Sequence, residues 1–383
     1  MAAIPHTFTE RNTVQTNNTN TYASVTSIAQ ASGNFTAGKK YLILATAQLG
    51  AAGVAATDIH LIHGSTEFEG SLAILYFLDG TQKALWSYMT VWTAVSSEGL
   101  DIEFRGNISG GANNNTVNFV SLMSIQLTDY LTENTDWYFG ESTAQALTTG
   151  STWYDGGSIT FTPGTASQDW LVMSHALHAR TTTGNSCQSR INRDSGTSTT
   201  PLSIVVPNNS ASITTATLAR VFSLPASSTN FKEQSMNATG AISTRTYSCI
   251  FAMNLAKFAT YGSAYTDGDT TYTATAIATP DQLQSVNVTP TTAVDTWVLA
   301  YHGFDKAVVS YSNQYRVQVD NSDQPSGQTT AAYVFNYGHS TNSAGDEVPT
   351  MLSTMVSSMT AASHTIDLDG AVSNTTSSPS AQQ

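Results

Sequence analysis

The sequence predicts an all-β protein built from tandem β-sandwich domains. Three observations support this prediction: a low content of charged residues, a polar surface made of hydroxyl and amide side chains, and a strand-like segment that occurs three times. A chain of 383 residues is also longer than one hydrophobic core usually supports, so several domains are expected.

The charged residues are few. Asp, Glu, Lys and Arg make up 11% of the chain, whereas about a quarter is usual in soluble globular proteins. Water-exposed helices are normally built from Ala, Leu, Glu, Lys and Arg with charged pairs on the outer face, and no segment has that composition. The polar surface must come largely from Thr, Ser, Asn and Gln, which favours strands.

The repeated segment has a polar residue, an aromatic residue and a short run of aliphatic or small residues. Its three copies are 40–49, 169–178 and 296–305. The copies are about 130 residues apart, which is the length of one domain. We therefore predict that each copy supplies a core aromatic to its own β-sandwich. The predicted domains and their core aromatics are 1–130 with Tyr41, 131–258 with Trp170, and 259–383 with Trp297.

Further strands follow each copy in the same order. Alternation of apolar and polar residues before a Gly marks a half-buried strand in every domain. These alternating segments are 100–106, 230–240 and 364–370. A long apolar strand then closes the first two domains, at 116–127 and 246–255, but residues 374–383 contain no comparable strand. The third domain is therefore expected to lack its last strand.

A sandwich without its last strand would expose a sheet edge and an apolar slot, which native sheets normally cover. Two explanations stay open. The sequence is the N-terminal part of a longer chain, or another molecule supplies the strand.

The strand count distinguishes poorly between two types of sandwich. Each domain has about seven or eight short strands separated by turns rich in Gly, Asn, Ser and Thr, which fits a jelly-roll or an immunoglobulin-like fold. We favour the jelly roll because the Cys, Trp and Cys spacing of an immunoglobulin domain is absent. The connections at 128–136 and 256–260 are short, which predicts a semi-rigid string of domains.

Charge and hydropathy exclude several classes of partner. A net charge of −13 and a pI near 4.8 argue against binding nucleic acid, which needs clustered Lys and Arg. No run approaches the roughly 18 apolar residues of a membrane helix, and no secretory signal is recognisable at the start. Cys187 and Cys249 are expected to be free thiols.

No motif of a catalytic, cofactor or metal site is present, so no enzymatic activity and no cofactor are predicted. Two pairs of histidines, His60 with His63 and His175 with His178, each have members three residues apart. Strand residues at that spacing point to opposite faces of the sheet. Their expected role is structural. The remaining acidic groups are expected in a solvated turn or on an exposed strand face, and they are Asp320, Asp323, Asp367 and Asp369.

Aromatic residues on the loops of a rigid sandwich can stack on sugars. The residues considered for such a site are Trp86, Tyr88, Trp92, Trp153 and Tyr154. Because the first three are separated by even intervals, they would share one face of a strand, and that face is most often the buried one. Core positions are therefore the alternative interpretation of these residues.

The chain resembles virion accessory proteins of tailed bacteriophages, a group that includes capsid decoration proteins, head fibres and tail fibres. The resemblance depends on the repeat marked by Tyr41, Trp170 and Trp297, the low-charge surface rich in Thr, Ser, Asn and Ala, the start at Met1, and the scarcity of Cys. It implies assembly in the host cytoplasm, a position on the particle exterior, a trimeric or other homo-oligomeric state, contacts with other virion proteins, and no enzymatic activity.

Two functions therefore remain. In the first, the chain is a non-enzymatic structural protein of the virion exterior, as a capsid decoration or fibre. In the second, it is a tail module that binds a host glycan or receptor, with specificity in the loops that differ between copies.

Overall fold

The computed structural model describes most of the chain. The described residues are 4–51, 53, 55–77, 83–95, 98–106, 115–148, 152–165, 167–180, 186–194, 202–205, 213–237, 243–265, 269–271, 274, 279–305, 313–324, 347–372 and 380–382. Within these ranges the chain is almost entirely strand. The helical elements there are two 3-10 turns, Ser32–Asn34 and Leu255–Lys257.

The first sandwich contains eight main strands and two short additional ones, β2 and β6. Its strands are β1 (His6–Arg11), β2 (Gln15–Asn17), β3 (Ala23–Ser24), β4 (Lys40–Ala51), β5 (Ala55–His63), β6 (Thr66–Glu67), β7 (Ala73–Phe77), β8 (Lys83–Thr93), β9 (Leu100–Gly106) and β10 (Asn115–Gln126). One sheet has the order β1-β10-β4-β8 and the other has the order β3-β9-β5-β7.

The second sandwich has the same plan, with one additional short strand, β12. Its strands are β11 (Trp137–Ser142), β12 (Gln145–Leu147), β13 (Trp153–Phe161), β14 (Gln168–Arg180), β15 (Ser186–Arg193), β16 (Leu202–Val205), β17 (Ile213–Leu224), β18 (Thr229–Asn237) and β19 (Ser243–Asn254). The sheets have the orders β11-β19-β14-β17 and β13-β18-β15-β16.

The third sandwich repeats the plan, with first and last strands of three residues each. Its strands are β20 (Asp269–Thr271), β21 (Asp281–Val288), β22 (Val294–Asp305), β23 (Asn313–Val319), β24 (Ser322–Gln324), β25 (Glu347–Met359), β26 (His364–Val372) and β27 (Ser380–Gln382). The sheets have the orders β20-β27-β22-β25 and β21-β26-β23-β24.

The strand order identifies the type of sandwich. When the eight main strands are counted along the chain, every copy has one sheet with the order 1-8-3-6 and a second sheet with the order 2-7-4-5. This is the jelly-roll arrangement, and the pairings within it are antiparallel. The predicted all-β sandwich fold is confirmed, and the jelly roll is the correct alternative.

Nearly all strand pairing stays within one copy. The exception is a pairing of Ile213 in β17 with Ile74 in β7, which joins a sheet of the first sandwich to a sheet of the second. The predicted domain limits of 1–130, 131–258 and 259–383 stay a prediction.

Two of the predicted core aromatics lie inside their own sandwiches. Tyr41 is 3% exposed and Trp170 is 1% exposed, and each packs in the core between its two sheets. Trp297 differs, because β22 is one residue out of phase with its counterparts. Val298 occupies the core of the third sandwich, and the half-buried Trp297 packs on the opposite face of the sheet. The prediction for Trp297 is therefore corrected, since a shift of one residue exchanges the two faces of a strand.

The outer faces of the three 1-8-3-6 sheets meet in one apolar cluster, which we call the shared cluster. Alternate residues of one strand pack in the shared cluster and in the interior of their own sandwich. In β19, Ile250 and Ala252 face the interior of the second sandwich, whereas Phe251 and Met253 belong to the shared cluster. The other two sandwiches contribute residues such as Leu44.

This packing corrects the predicted string of domains. The connections are short, but the sandwiches are held by buried contacts rather than by connector stiffness. His175 of the second sandwich contacts the Gly70 carbonyl oxygen of the first at 3.1 Å and meets the Tyr88 ring edge-on at 4.9 Å. The thiol of Cys249 donates to the Met89 carbonyl at 3.3 Å. Cys187 and Cys249 are both buried, and neither forms a disulfide in the described part of the chain.

One contact between the first and third sandwiches is expected to depend on pH. The Thr354 hydroxyl donates to the carboxylate of Glu10 at 3.4 Å, and burial raises the pKa of Glu10 to about 7. The folded chain therefore binds this proton more tightly than the unfolded chain does, so the stability from this group falls as the pH rises from about 4.5 through 7.

We expect Glu10→Gln to increase the free energy of unfolding at pH 8, by on the order of 2 kcal/mol, and to change it little at pH 4. Urea unfolding at the two pH values measures the difference. Glu69→Gln, at an exposed position, is the matched control for the change of a carboxyl group to an amide. An equal effect of Glu10→Gln at both pH values would contradict the interpretation.

Candidate functional site

The third sandwich differs from the other two at its closing strand. β10 and β19 pair with β4 and β14 along most of their length. β27 has the same place in its sheet, between β20 and β22, but pairs with β22 at Gly303 and Phe304. The prediction that the third sandwich lacks its last strand is therefore corrected: β27 occupies the position of the closing strand, and the structure describes it over the three residues Ser380–Gln382.

In the described part of the chain, part of β22 therefore has no paired strand on one side. Trp297–Ala300 pairs with β25 on the other side, and no described strand pairs with it on the side of β27. We call this stretch the open edge. In the second sandwich the corresponding part of β14 is covered by β19, where Leu171 pairs with Met253 and Met173 with Phe251.

A cavity of about 820 Å³ borders the open edge. All three sandwiches contribute to its walls, and most of the lining side chains are apolar. Representative lining residues are Ile4 and Ile125 from the first sandwich, Leu171, Val221 and Met253 from the second, and Trp297, Val298, Leu299, Ala300, Val317, Ile366 and Leu368 from the third. The cavity therefore joins the interior of the third sandwich to the shared cluster.

Two tyrosines from the segment after the second 3-10 turn also line the cavity. Tyr261 is 42% exposed and Tyr265 is 56% exposed. The Arg220 guanidinium lies 4.6 Å from the centroid of the Tyr265 ring, and the Tyr261 hydroxyl donates to Asp169 at 3.1 Å. Both rings are thus held at the surface by residues of the second sandwich.

Three polar side chains around the cavity contact partners within the chain. Nε2 of His6 lies 3.5 Å from Asp295, Lys257 lies 3.0 Å from Asp136, and the indole N–H of Trp297 donates to the Ser353 hydroxyl at 2.9 Å. What the lining offers to a ligand is apolar surface beside the backbone groups of a sheet edge. This chemistry suits the binding of an extended apolar segment.

The structure corrects the sugar-stacking hypothesis at three of its five residues. Trp86, Tyr88 and Trp92 are 0%, 1% and 7% exposed. Alternate residues of β8 face the core between the sheets, where the Trp86 indole donates to the Ser71 carbonyl and the Tyr88 hydroxyl donates to the Glu69 carbonyl. These rings have no free face for a sugar.

Trp153 and Tyr154 are half-buried at the start of β13. The Arg190 guanidinium lies 4.0 Å from the centroid of the Trp153 ring and covers one face of this ring. The Tyr154 hydroxyl is 3.0 Å from the Thr148 hydroxyl. As adjacent strand residues they point to opposite faces of the sheet, so they do not form one stacking platform.

The histidine pairs contact separate partners, as expected for strand residues three apart. His60 lies between Glu67 at 2.7 Å and Glu103 at 3.3 Å, whereas His63 contacts Glu98 at 2.6 Å. His175 and His178 are fully buried, and burial lowers their pKa values to about 4 and about 3. Within the described part of the chain, no group of three His, Cys, Asp or Glu residues could hold a metal ion.

The acidic residues divide into two cases. Asp320 and Asn321 form the two-residue turn between β23 and β24 with positive φ angles of 51° and 62°, which is the geometry of a type I′ hairpin. The prediction that Asp369 lies on an exposed strand face is wrong. It is 5% exposed and accepts from the Arg316 side chain at 3.1 Å, because Arg316 lies directly opposite it on β23.

Sequence reasoning missed a buried ion pair inside the second sandwich. Arg245 and Glu233 are both inaccessible to solvent and lie 3.1 Å apart. Arg245 also donates to the carbonyls of Tyr154 and Asp155, and burial raises the pKa of Glu233 to about 7. A register shift opposite Leu177 and His178 turns Arg245 inward, and simple alternation does not reveal such a shift.

Comparisons with known proteins give no family. No protein-family model and no curated protein matches the chain. Solved structures with some similarity include an insecticidal delta-endotoxin, Cry8Ea1, from Bacillus thuringiensis, with 12% identity and a TM-score of 0.23 over 66% of this chain. The match spans 53% of the toxin chain, so this chain corresponds to about half of its length.

Two further structures come from viruses. One is described as the triple jelly-roll fold and turret assembly in an archaeal virus, with 9% identity and a TM-score of 0.23 over 89% of this chain and 79% of that chain. The other is Sulfolobus turreted icosahedral virus, with 10% identity and a TM-score of 0.23 over 88% and 81%. Similarities this low establish no function for the chain. In the described ranges, no helix is long and apolar enough to span a membrane.

Proposed function

We propose that this chain is a non-enzymatic structural protein on the exterior of a virion, of the capsid-decoration or fibre type. The observation that supports this most is the packing of three jelly rolls around the shared cluster. Sandwiches joined by buried apolar contacts form a rigid body, which is suited to a fixed position in a large assembly.

The surface chemistry supports the same proposal. Charged residues make up 11% of the chain and the net charge is −13, so mild mutual repulsion limits unwanted association of a protein made in many copies. The proposal includes assembly in the host cytoplasm, contacts with other virion proteins, and a homo-oligomer such as a trimer. A tailed bacteriophage is the proposed source, on the resemblance of the sequence.

Purified particles test this proposal. Peptide mass spectrometry should detect the chain in virions at a fixed ratio to the major capsid protein. Brief protease treatment of intact particles should cleave it before any internal protein is cleaved. Absence from the particles, or protection equal to that of internal proteins, would contradict an exterior virion role.

Binding of a host glycan or receptor is the alternative, and the geometry gives it less support. Three of the five aromatic residues considered for sugar stacking are buried, and the other two point to opposite faces of a sheet. Binding to a glycan array that is lost in Trp153→Ala, with the unfolding midpoint unchanged, would favour this alternative.

A further inference from the structure

The first and second sandwiches meet along a buried contact that we call the seam. It joins β8 and the turn at Gly70 to β14 and β19. Gly70 has a φ of +79°, and a methyl group on its Cα would overlap the ring of Tyr247. Two residues further along β19, the Cys249 thiol donates to the Met89 carbonyl oxygen at 3.3 Å. The two sandwiches are therefore in direct contact, with no space for a larger side chain at Gly70.

His175 of β14 lies in the seam and is inaccessible to solvent. A carbonyl oxygen can only accept a hydrogen bond, so Nε2, which lies 3.1 Å from the Gly70 carbonyl oxygen, carries a proton and donates it. Nδ1 is then the unprotonated nitrogen, and it accepts from the Thr217 hydroxyl at 2.9 Å. Both ring nitrogens thus have partners that suit the neutral imidazole.

The groups that face His175 do not balance a positive charge on its ring. On β8 and β19 these groups are Tyr88, Tyr247 and Cys249. Burial raises the pKa of each of the three, so they stay neutral between pH 4 and pH 7. The carboxylate of Glu141 on β11 accepts from the Tyr247 hydroxyl at 3.2 Å and is exposed to water. Within the described part of the chain, no anion therefore contacts the ring.

A proton on Nδ1 would disrupt the hydrogen bonds of the seam. It places a donor against the Thr217 hydroxyl, which can then no longer donate to the ring. Burial lowers the pKa of His175 to about 4, so a ring that is open to water, with the ordinary pKa of about 6.5, binds the proton more readily. His178 on the same strand is outside the seam, because its Nε2 contacts the Ser189 hydroxyl at 2.9 Å inside the second sandwich.

We propose that acidification opens the seam, with His175 as the group that takes up the proton, while each sandwich stays folded. Above about pH 6.5 the imidazole is neutral in both forms, so the seam has its full stability there. As the pH falls from about 6.5 towards 4, the ratio of open to closed chains should rise about tenfold per pH unit. Such opening is a property of the chain itself and does not require a virion role.

The contact between the first and third sandwiches responds to pH in the opposite direction. Glu10 of β1 lies opposite Ser121 of β10 and accepts from Thr354 of β25, so uncharged hydroxyl groups face it. Burial raises the pKa of Glu10 to about 7, and its protonated form therefore fits this contact and keeps it closed in acid. Acid should thus release the second sandwich from the first without releasing the third.

The two cysteines report on the seam and on the second sandwich separately. Cys249 lies in the seam, whereas Cys187 is buried on the face of β15 that carries the core residue Ile191, and its thiol donates to Ser243 at 3.1 Å. The full chain is labelled with 4,4′-dithiodipyridine at pH 7 and at pH 4. Pepsin digestion and mass spectrometry identify the labelled cysteine, and each rate is divided by the rate for glutathione at the same pH.

The normalised labelling of Cys249 should rise at least about 100-fold from pH 7 to pH 4. The labelling of Cys187 should change less than about threefold, because the second sandwich stays folded and protects it.

Three variants make the test specific. His175→Gln keeps a donor and an acceptor but does not titrate, so the labelling of Cys249 should differ less than about threefold between the two pH values. His178→Gln, which removes the other buried histidine of β14, is the matched control and should keep the full rise. Gly70→Ala is the positive control, because its methyl group would overlap Tyr247, and it should make Cys249 reactive at pH 7.

Three results would overturn the proposal. If Cys187 becomes reactive in acid together with Cys249, the second sandwich unfolds and the seam does not open by itself. If the rise persists in His175→Gln, another group takes up the proton. If Cys249 stays unreactive at pH 4 although it reacts in Gly70→Ala, the seam stays closed in acid.

Discussion

Replacing Arg245 by methionine is expected to destabilise the second sandwich by about 3–5 kcal/mol. The substitution removes a cation 3.1 Å from the buried carboxylate of Glu233 and leaves that carboxylate without its charge partner. The carbonyls of Tyr154 and Asp155 also lose a donor. The free energy of unfolding from urea titration, followed by a probe in the second sandwich, measures the loss.

The pH dependence of this loss identifies its cause. Burial already raises the pKa of Glu233 to about 7. Removal of Arg245 should raise this pKa further, because the positive charge of Arg245 favours the ionised carboxylate. The folded variant then favours a protonated Glu233, so its stability falls as the pH rises above the ordinary carboxyl range. We expect the loss to be larger at pH 8 than at pH 5.

A second variant separates charge from packing. If Glu233→Gln is combined with Arg245→Met, the uncompensated charge is absent and the double variant should recover much of the stability at pH 8. Equal losses for Arg245→Met at both pH values, with no recovery in the double variant, would show that Arg245 acts through packing alone.

Truncation of the two repeat tryptophans should have unequal effects. Trp170 is 1% exposed, and its ring centroid lies 4.4 Å from that of Phe161, so Trp170→Ala should cost about 3–5 kcal/mol. Trp297 is half-buried beside the open edge, so less apolar surface is lost, and Trp297→Ala should cost about 1–2 kcal/mol. Calorimetry of both variants measures the difference.

Equal costs for the two substitutions would contradict the structure. A large loss for Trp297→Ala would indicate that a strand covers it as β19 covers part of β14. The more conservative Trp297→Phe serves as a control, because it keeps an apolar ring and should change stability less than the alanine variant.

The sequence predicted the sandwich fold from features that repeat. Hydroxyl-rich strands, alternation and the aromatic-led segment recur at one domain length, and each depends on local chemistry that a single chain displays. The difference at the closing strand of the third copy was predictable only in part. Residues 374–383 do not match the long apolar sequences of β10 and β19, but the short strand β27 in that position was not predicted.

The shared cluster was not predictable from those patterns. Strands such as β19 are buried on both faces, and a continuous apolar run does not say whether its second face meets a neighbouring domain or solvent. The faces on which Trp297 and Arg245 lie were not predictable for a related reason. Both follow from a displacement of one residue, which exchanges the faces of a strand without changing its composition.

The most direct test of the structure is hydrogen exchange on the free chain, resolved to single amides in the third strand of each sandwich. Amides of Tyr41–Leu44 and Trp170–Met173, which have strands on both sides, should all exchange slowly. Within Trp297–Ala300, the amides directed away from β25 should exchange far faster than their neighbours. Uniform slow exchange across all three strands would contradict an open third jelly roll.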